Sequence, residues 1–445
     1  MLRLTGATIT LLALLASRET PTLATHSQGG IRELLAAAQG APAALCGMAA
    51  RAVGNYNGRW HDAPVTPLGA VQETATDEGR NGQPRLGADD IRLLLESLST
   101  TDPCVRELAV RLLGNDESDA VTSGLMQRLA SPDSSLRTVA AYGLGLVEPK
   151  SAVDPLVRAI RDPATGLRAN AVWALGRIGD GRAVAPVSAV MTDRSPLVRQ
   201  AAAGTLGQLD SSSAIPVLQR VLRVDAVPSV RRTAAWALGE LEAEQAVAEL
   251  AAALKGDKDA SVREMCAWAL GNIETHAASA ELLNAARSDT DVQVRETAVW
   301  ALGNSEDASV APGIGQLLAT EKDTRVRRTA AWALGQFELD HAPKGLMDAL
   351  GDADAGVRTR SAWALSEIGD EAALPALRTA LAKETDEKAK RAELRGLIQS
   401  GERSERLTEL LQSPDPKVRE TTIRGIAGRG MDPWPWPEPR PRPFP

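Results

Sequence analysis

The sequence has few of the residues that build catalytic and metal sites. It contains 4 His and 3 Cys among 445 residues, and it has no Cys-x-x-Cys pair and no His-Glu-x-x-His motif. No histidine is followed by glutamate, which excludes the repeated His-Glu pairs of a helical-repeat di-iron enzyme. The glycines follow a repeat and form no phosphate-binding loop. The sequence therefore predicts no enzyme activity, no metal ion and no cofactor.

Positive charge and long apolar runs are also scarce. The chain has 50 Lys and Arg against 57 Asp and Glu, so its net charge is −7. A nucleic-acid binder needs a dense basic surface to displace counterions, and none is predicted here. A transmembrane helix needs about 20 apolar residues, and no segment reaches that length. We therefore expect neither a nucleic-acid partner nor an integral membrane segment in the mature chain.

The first 24 residues are typical of an export signal. Arg3 precedes an apolar stretch from Leu4 to Ala16, and small residues at Thr22 and Ala24 suit a signal peptidase. We predict a signal peptide over residues 1–24, hence a periplasmic or secreted protein. The alternative is an apolar N-terminus on a cytoplasmic protein.

One pattern recurs along the chain: Val or Leu, an arginine, two variable residues, small residues, an aromatic residue and Ala-Leu-Gly. Taking the arginine as an anchor, successive anchors lie 31 or 32 residues apart until the last step of 29. The anchors are Arg106, Arg137, Arg168, Arg199, Arg231, Arg263, Arg295, Arg327 and Arg358, with Lys390 and Arg419 as weaker members. A fixed period over eleven units indicates a repeat array.

Each unit is predicted to contain two helices, A and then B. An Asp four residues before the anchor suits the N-cap of helix B, as at Asp259 and Asp291. Glycines such as Gly179 suit the end of helix B, and a proline such as Pro312 suits the first turn of helix A. The predicted fold class is all-α: a right-handed α-solenoid of about eleven two-helix repeats over residues 89–430.

The segments 230–239 and 326–335, Val-Arg-x-x-Ala-Ala-Trp-Ala-Leu-Gly, resemble the short HEAT repeat of phycobilisome lyases. The resemblance implies that the B helices line a concave surface. It also implies a ladder between Asp and Arg of neighbouring repeats. By resemblance, the ladder here joins Asp259, Asp291 and Asp323 with Arg263, Arg295 and Arg327.

The two ends of the chain depart from the repeat. Residues 25–88 are interpreted as a degenerate cap repeat followed by a Gly- and Pro-rich loop, and residues 431–445 as an extended, Pro-, Trp- and Arg-rich tail. In an exported protein Cys46 and Cys104 could form a disulfide, and the alternative is two buried thiols. Cys266 replaces a small core residue and is expected to remain a thiol.

Position five after the anchor carries an aromatic residue in seven repeats. On a helical wheel this position lies opposite the core positions one before, three after and seven after the anchor. We therefore predict a ladder of exposed rings on the B helices. The seven residues are Tyr142, Trp173, Trp236, Trp268, Trp300, Trp332 and Trp363. The alternative is that each indole packs flat between neighbouring B helices.

Charged residues directly after the anchor flank the predicted aromatic ladder: Arg232, Glu264, Glu296 and Arg328. Aromatic rings beside charged groups are typical of interaction hot spots. The sequence thus predicts a non-catalytic scaffold that binds a protein or an extended, proline-rich peptide, its own tail included, on the Trp-lined surface. The alternative is a bilin-lyase-like or enzyme-associated HEAT protein, such as a docking partner of a membrane metallopeptidase.

Overall fold

The computed structural model describes residues 28–53, 66–67, 86–402 and 404–426. In these ranges the chain forms 24 α-helices and no strand. The first helix pair and the helices in the A position are α1 (Gln28–Ala38), α2 (Ala43–Val53), α3 (Ala88–Ser97), α5 (Asp119–Leu129), α7 (Val153–Ala159), α9 (Val184–Ala189), α11 (Ile215–Val224), α13 (Val247–Gly256), α15 (Ser279–Ser288), α17 (Ala311–Thr320), α19 (Lys344–Asp348), α21 (Leu374–Leu381) and α23 (Ser404–Leu411). The B helices are α4 (Pro103–Gly114), α6 (Ser134–Val147), α8 (Thr165–Ile178), α10 (Pro196–Gln208), α12 (Pro228–Glu240), α14 (Ala260–Asn272), α16 (Val292–Asn304), α18 (Thr324–Gln336), α20 (Ala355–Ile368), α22 (Glu387–Gln399) and α24 (Pro416–Ile426).

The eleven A–B pairs from α3 to α24 are the eleven predicted repeats. Most A helices are preceded by a single turn of 3₁₀ helix, for example Glu244–Ala246 before α13. The described residues form two compact units with their boundary at residues 221 and 222, and each unit is a stack of such pairs. This architecture confirms the predicted α-solenoid.

The predicted N-caps of the B helices are confirmed. Asp259 accepts a hydrogen bond of 2.9 Å from the backbone N–H of Ser261, and Asp291 accepts one of 2.8 Å from that of Gln293. The same geometry recurs at Asp102, Asp133, Asp323, Asp354, Asp386 and Asp415. Each cap satisfies free N–H groups in the first turn and places a negative charge at the positive end of the helix dipole.

Several B helices end in a residue with left-handed backbone, eleven positions after the anchor. Gly179 and Gly369 hold this position with φ of 68° and 70°, as their sequence context predicts. Glu148, Asp210, Glu242, Glu274 and Glu306 hold it elsewhere with φ between 45° and 59°. The left-handed turn thus recurs at this position of the repeat even where the residue is not glycine.

The core of each repeat lies between its A and B helices. In the repeat of Arg263, Val262 and Cys266 are fully buried and Leu270 is 1% exposed. These are the positions one before, three after and seven after the anchor that the sequence assigns to the core. Cys266 is a buried free thiol, as predicted, and burial raises its pKa.

The helix pair α1–α2 packs against α4 and caps the array. A disulfide joins Cys46 of α2 to Cys104 of α4, with 5.6 Å between their Cα atoms. The Asn115 side chain donates a hydrogen bond of 2.7 Å to the carbonyl of Val53. Of the two alternatives for these cysteines, the structure has the disulfide. The predicted signal peptide, most of the loop before α3 and the tail 431–445 lie outside the described residues.

Candidate partner-binding face

The aromatic rings at position five are not exposed, so the predicted solvent-facing ladder is wrong. Six of the seven residues are between 0% and 8% exposed: Tyr142, Trp173, Trp236, Trp300, Trp332 and Trp363. Trp268 is half-buried. Tyr142 and Trp173 also contact each other, with ring centroids 5.5 Å apart. The alternative interpretation, in which the rings pack between neighbouring B helices, describes this geometry.

Five of the rings lie over the glycine that is eight residues after the anchor of the preceding repeat. A Cβ atom on Gly303 would lie 2.6 Å from Cζ3 of Trp332, and one on Gly271 would lie 2.7 Å from Cζ3 of Trp300. Three further pairs repeat the contact: Gly145 with Trp173, Gly239 with Trp268 and Gly335 with Trp363. The glycine of one repeat and the tryptophan of the next thus form a single contact that joins the two repeats.

The repeat without a ring supports this interpretation. Between repeats that carry an aromatic residue at this position, the repeat of Arg199 carries Gly204. The space over Gly176 is filled instead by the side chains of Thr205 and Gln208, 2.9 and 2.6 Å from where a Cβ atom would lie. The Thr205 hydroxyl also donates a hydrogen bond of 3.0 Å to the carbonyl of Val172. Polar contacts replace the ring at this junction.

The helical wheel misplaced the rings because it considers one helix at a time. Within each unit, every B helix packs against the B helix of the next repeat. Position five therefore points away from the core of its own repeat but into the neighbouring helix. In three repeats position two after the anchor is covered as well, since Thr233, Thr297 and Thr329 are 1–2% exposed.

The anchor arginines form a ladder along the array. Arg263 binds Asp289 through two hydrogen bonds of 2.7 and 2.8 Å, and a third, of 2.9 Å, joins its guanidinium to the carbonyl of Asp257 in its own repeat. The two-pronged pair recurs between Arg168 and Asp193, Arg231 and Asp257, Arg295 and Glu321, Arg327 and Asp352, and Arg358 and Glu384. The planar guanidinium matches a carboxylate in this geometry.

The ladder exists, but the acids assigned to it by resemblance are wrong. The partner lies six residues before the next anchor, so Arg263 pairs with Asp289 and not with Asp291. Asp259, Asp291 and Asp323 are helix caps instead. Burial disfavours the charged form of Asp289, yet hydrogen bonds from Arg263 and from the N–H of Asp291 outweigh it and lower its pKa. The anchor side chain reaches past the cap to the loop that precedes it.

The B helices also present a strip of partly accessible polar side chains, which we call the open row. It consists of the residues directly after the anchors in four successive repeats: Arg232, Glu264, Glu296 and Arg328. All four are half-buried. These are the polar residues that the sequence placed beside the rings, and the structure keeps them at the surface while it covers the rings.

The acidic members of the open row have few partners. Burial raises the pKa of Glu264 to about 7, opposed by Arg232 and reinforced by Asp291 and Glu296. Among the described residues, Glu264 makes no hydrogen bond or ion pair. Burial also raises the pKa of Glu296, whose nearest cation is Arg325 at 4.0 Å. Two adjacent carboxylates are thus partly buried, and few hydrogen bonds or ion pairs offset their lost hydration.

At one end of the open row the charge changes sign around a pocket of about 290 Å³. Arg328, Arg360 and Lys388 provide cations, and Asp386 provides a carboxylate. Sequence reasoning missed Arg360, which lies two residues after its anchor. A signal was present, since Arg360 is the one charged residue at that position in all eleven repeats.

Two classes of site are not found in the part of the chain that the structure describes. There, no group of three or more His, Cys, Asp or Glu side chains could hold a metal ion. Helices in the same ranges are also too short or too polar to cross a bilayer.

Comparison of the sequence with protein-family models finds the HEAT repeats, matched five times over between residues 91 and 398. The chain belongs to the HEAT-repeat family. The match confirms the HEAT prediction, while the phycobilisome-lyase-like subtype stays a prediction. A search of curated proteins finds no significant match.

A solved structure shares the fold of this HEAT protein. A chain in the complex described as "Kap95p Binding Induces the Switch Loops of RanGDP to adopt the GTP-bound Conformation" matches with a TM-score of 0.53 and 17% identity. The match covers 76% of this chain and 56% of that chain, so this chain spans about half its length. An engineered protein matches with a TM-score of 0.39 and 21% identity, over 76% of this chain and 98% of that chain.

Proposed function

We propose that this HEAT protein is a non-catalytic scaffold that binds a protein partner through the open row. The observation that carries the proposal is the half-buried carboxylate of Glu264, which makes no hydrogen bond among the described residues and lies near Glu296. A carboxylate that has lost part of its hydration without gaining hydrogen bonds destabilises the free protein. A cation supplied by a partner would remove that cost, which is how charged pairs at interfaces gain coupling energy.

The fold supports the same proposal. Stacked repeats present one position of every B helix at regular intervals, which gives an extended surface for a partner. One solved structure with the same fold is described as Kap95p binding to RanGDP, a protein partner. By analogy of fold alone, a protein is the class of partner we propose here.

The proposal differs from the Trp-lined surface that the sequence predicts. Buried rings offer no aromatic groove to a proline-rich strand, so docking of the tail or of a similar peptide on the rings loses its physical basis. The partner surface is instead polar, with acidic residues at Glu264 and Glu296 and basic residues at Arg328 and Arg360.

The test is affinity capture by the full chain from its native extract, quantified by mass spectrometry. The variant Glu264→Gln/Glu296→Gln removes the two charges and keeps the side-chain size. The matched control, Glu244→Gln/Glu281→Gln, removes two exposed carboxylates that belong to the A-helix layer. We expect a specific partner to be recovered about tenfold less with the row variant and unchanged with the control. Equal recovery with both variants would refute the open row as the binding surface.

We also propose export, on the basis of the signal-like residues 1–24. The Cys46–Cys104 disulfide supports this proposal, because disulfides persist in oxidising compartments. N-terminal sequencing of the native protein tests it, with Thr25 as the expected first residue. Recovery of the chain from the cytosol with Met1 in place would contradict it.

A further inference from the structure

The pocket at the basic end of the open row is built from three successive B helices. Arg328 comes from α18, residues 355, 356, 359 and 360 from α20, and residues 386 and 388 from the start of α22. Its volume of about 290 Å³ equals that of roughly ten water molecules. That space suits one polar side chain with its immediate neighbours, and it lies below the usual range for a drug-sized ligand.

Most polar groups in the pocket already have partners. Arg328 binds Asp354 through two hydrogen bonds of 2.7 and 2.5 Å. Gly356 leaves room for this pair, since a Cβ atom there would lie 2.6 Å from Nε of Arg328. The Thr359 hydroxyl donates to the carbonyl of Ala355 at 2.7 Å, and Asp386 accepts the backbone N–H groups of Lys388 and Ala389.

Arg360 differs from these groups. Its side chain is half-buried, and it makes no hydrogen bond or ion pair with any residue that the structure describes. Burial, and next the nearby charge of Arg328, lower its pKa, while Glu296 and Asp354 act in the opposite direction from a distance. A guanidinium carries five N–H donors in a rigid fork that matches a carboxylate. Arg360 lines the pocket, and no acceptor for its guanidinium is found among the described residues.

The charges around the pocket indicate which kind of acceptor Arg360 would bind. Asp354 neutralises Arg328, and Asp386 balances Lys388 within the same pocket. Glu296 has its own nearest cation in Arg325. One positive charge, that of Arg360, is left over. A single carboxylate would balance it, whereas a phosphate with a charge near −2 would add surplus negative charge beside Asp386.

We propose that this pocket binds an Asp or Glu side chain from an acidic segment of a protein partner, with Arg360 as its two-pronged hydrogen-bond donor and Lys388 as a supporting cation. This inference rests on the proposed scaffold function and names the chemistry of one contact within it.

The probe is a fluorescein-labelled hexaglutamate peptide, and its binding to the full chain is measured by fluorescence anisotropy at low salt. We expect Arg360→Gln to weaken binding about tenfold, Arg360→Lys to weaken it less, and Lys388→Gln to weaken it about threefold. Arg220→Gln, which removes an exposed arginine on α11, is the matched control and should leave binding within twofold. Added salt should weaken binding to the wild type.

Thermal unfolding separates binding from a structural role. Arg360→Gln removes a half-buried charge that has no partner, so its melting temperature should equal or exceed that of the wild type. A lower melting temperature would overturn the proposal, as would hexaglutamate binding that is absent or equal in Arg360→Gln and Arg220→Gln. Stronger, Arg360-dependent binding of a phosphoserine peptide would also overturn the carboxylate assignment. If hexaglutamate does not bind while Glu264→Gln/Glu296→Gln still loses the captured partner, the pocket proposal is refuted and the proposed scaffold function is retained.

Discussion

The two sides of the B helices use the same kinds of residue in opposite ways. On the covered flank, indole rings lie over glycines, and anchor arginines such as Arg263 hold carboxylates such as Asp289 with two hydrogen bonds. On the open row Glu264, and in the pocket at its end Arg360, make no hydrogen bond with the described residues, although they too are half-buried. The first arrangement holds repeats together. The second leaves charge unsatisfied, which is unfavourable in the free protein and useful in a complex.

In a repeat protein, the type of a residue alone does not show whether it joins two repeats or binds a partner. Tryptophan, typical of binding hot spots, joins repeats here, and single charges between the junctions are the better candidates for recognition. The difference lies in whether the next repeat supplies the partner.

The largest effect is expected when a ring is removed from the covered flank. Trp332→Ala leaves a cavity over Gly303, which should lower the free energy of unfolding by about 3–5 kcal/mol. The row substitution Glu296→Gln, in the preceding repeat, should change it by no more than about 1 kcal/mol. Urea denaturation of both variants measures the difference. Similar values for the two would mean that Trp332 is not a junction residue.

A smaller effect is expected when one rung of the ladder is broken. Arg263→Gln leaves the carboxylate of Asp289 without its bidentate partner and should lower the free energy of unfolding by about 2–3 kcal/mol. Asp289→Asn should do the same from the other side. In the double variant the losses should be less than additive, because both remove one interaction. Strict additivity would show that the two side chains act independently.

The smallest effect is a difference in pH dependence. The pKa of Glu264 is raised from 4.5 to about 7, so the folded state binds the extra proton between these values. Its contribution to stability is therefore full below about pH 4.5 and is lost as the pH rises through 7. Glu264→Gln should be more stable than the wild type at pH 8, by roughly 1 kcal/mol after solvent screening, and equal to it at pH 4.

The ladder should show the opposite sign. The pKa of Asp289 is lowered from 3.8, so its contribution is present above that value and is lost as the pH falls through the lowered pKa. Asp289→Asn should thus be less stable than the wild type at pH 8, and the gap should close in strong acid. Melting curves at several pH values check both variants. If the stability difference between Glu264→Gln and the wild type disappeared above pH 7, this would contradict a raised pKa for Glu264.

Much of the fold could be predicted because its signals are local. The period of 31 or 32 residues, the capping Asp residues and the glycines at helix ends each act within one repeat, and the structure confirms them at Asp259, Asp291 and Gly179. The ladder partner was missed by two positions, because Asp289 and Asp291 are both acids near the same helix start. Only the reach of the Arg263 side chain distinguishes them.

By itself the sequence determined the repeat, the helix pairs, their caps and the inward face of each B helix, because hydrophobic period and capping chemistry depend on neighbours along the chain. Only the tertiary structure decided which outward residues remain exposed. Packing of one B helix on the next covers Trp332 and leaves Glu296 and Arg328 at the surface. That outcome depends on the spacing between helices and on the glycine beneath each ring, neither of which a single helical wheel contains.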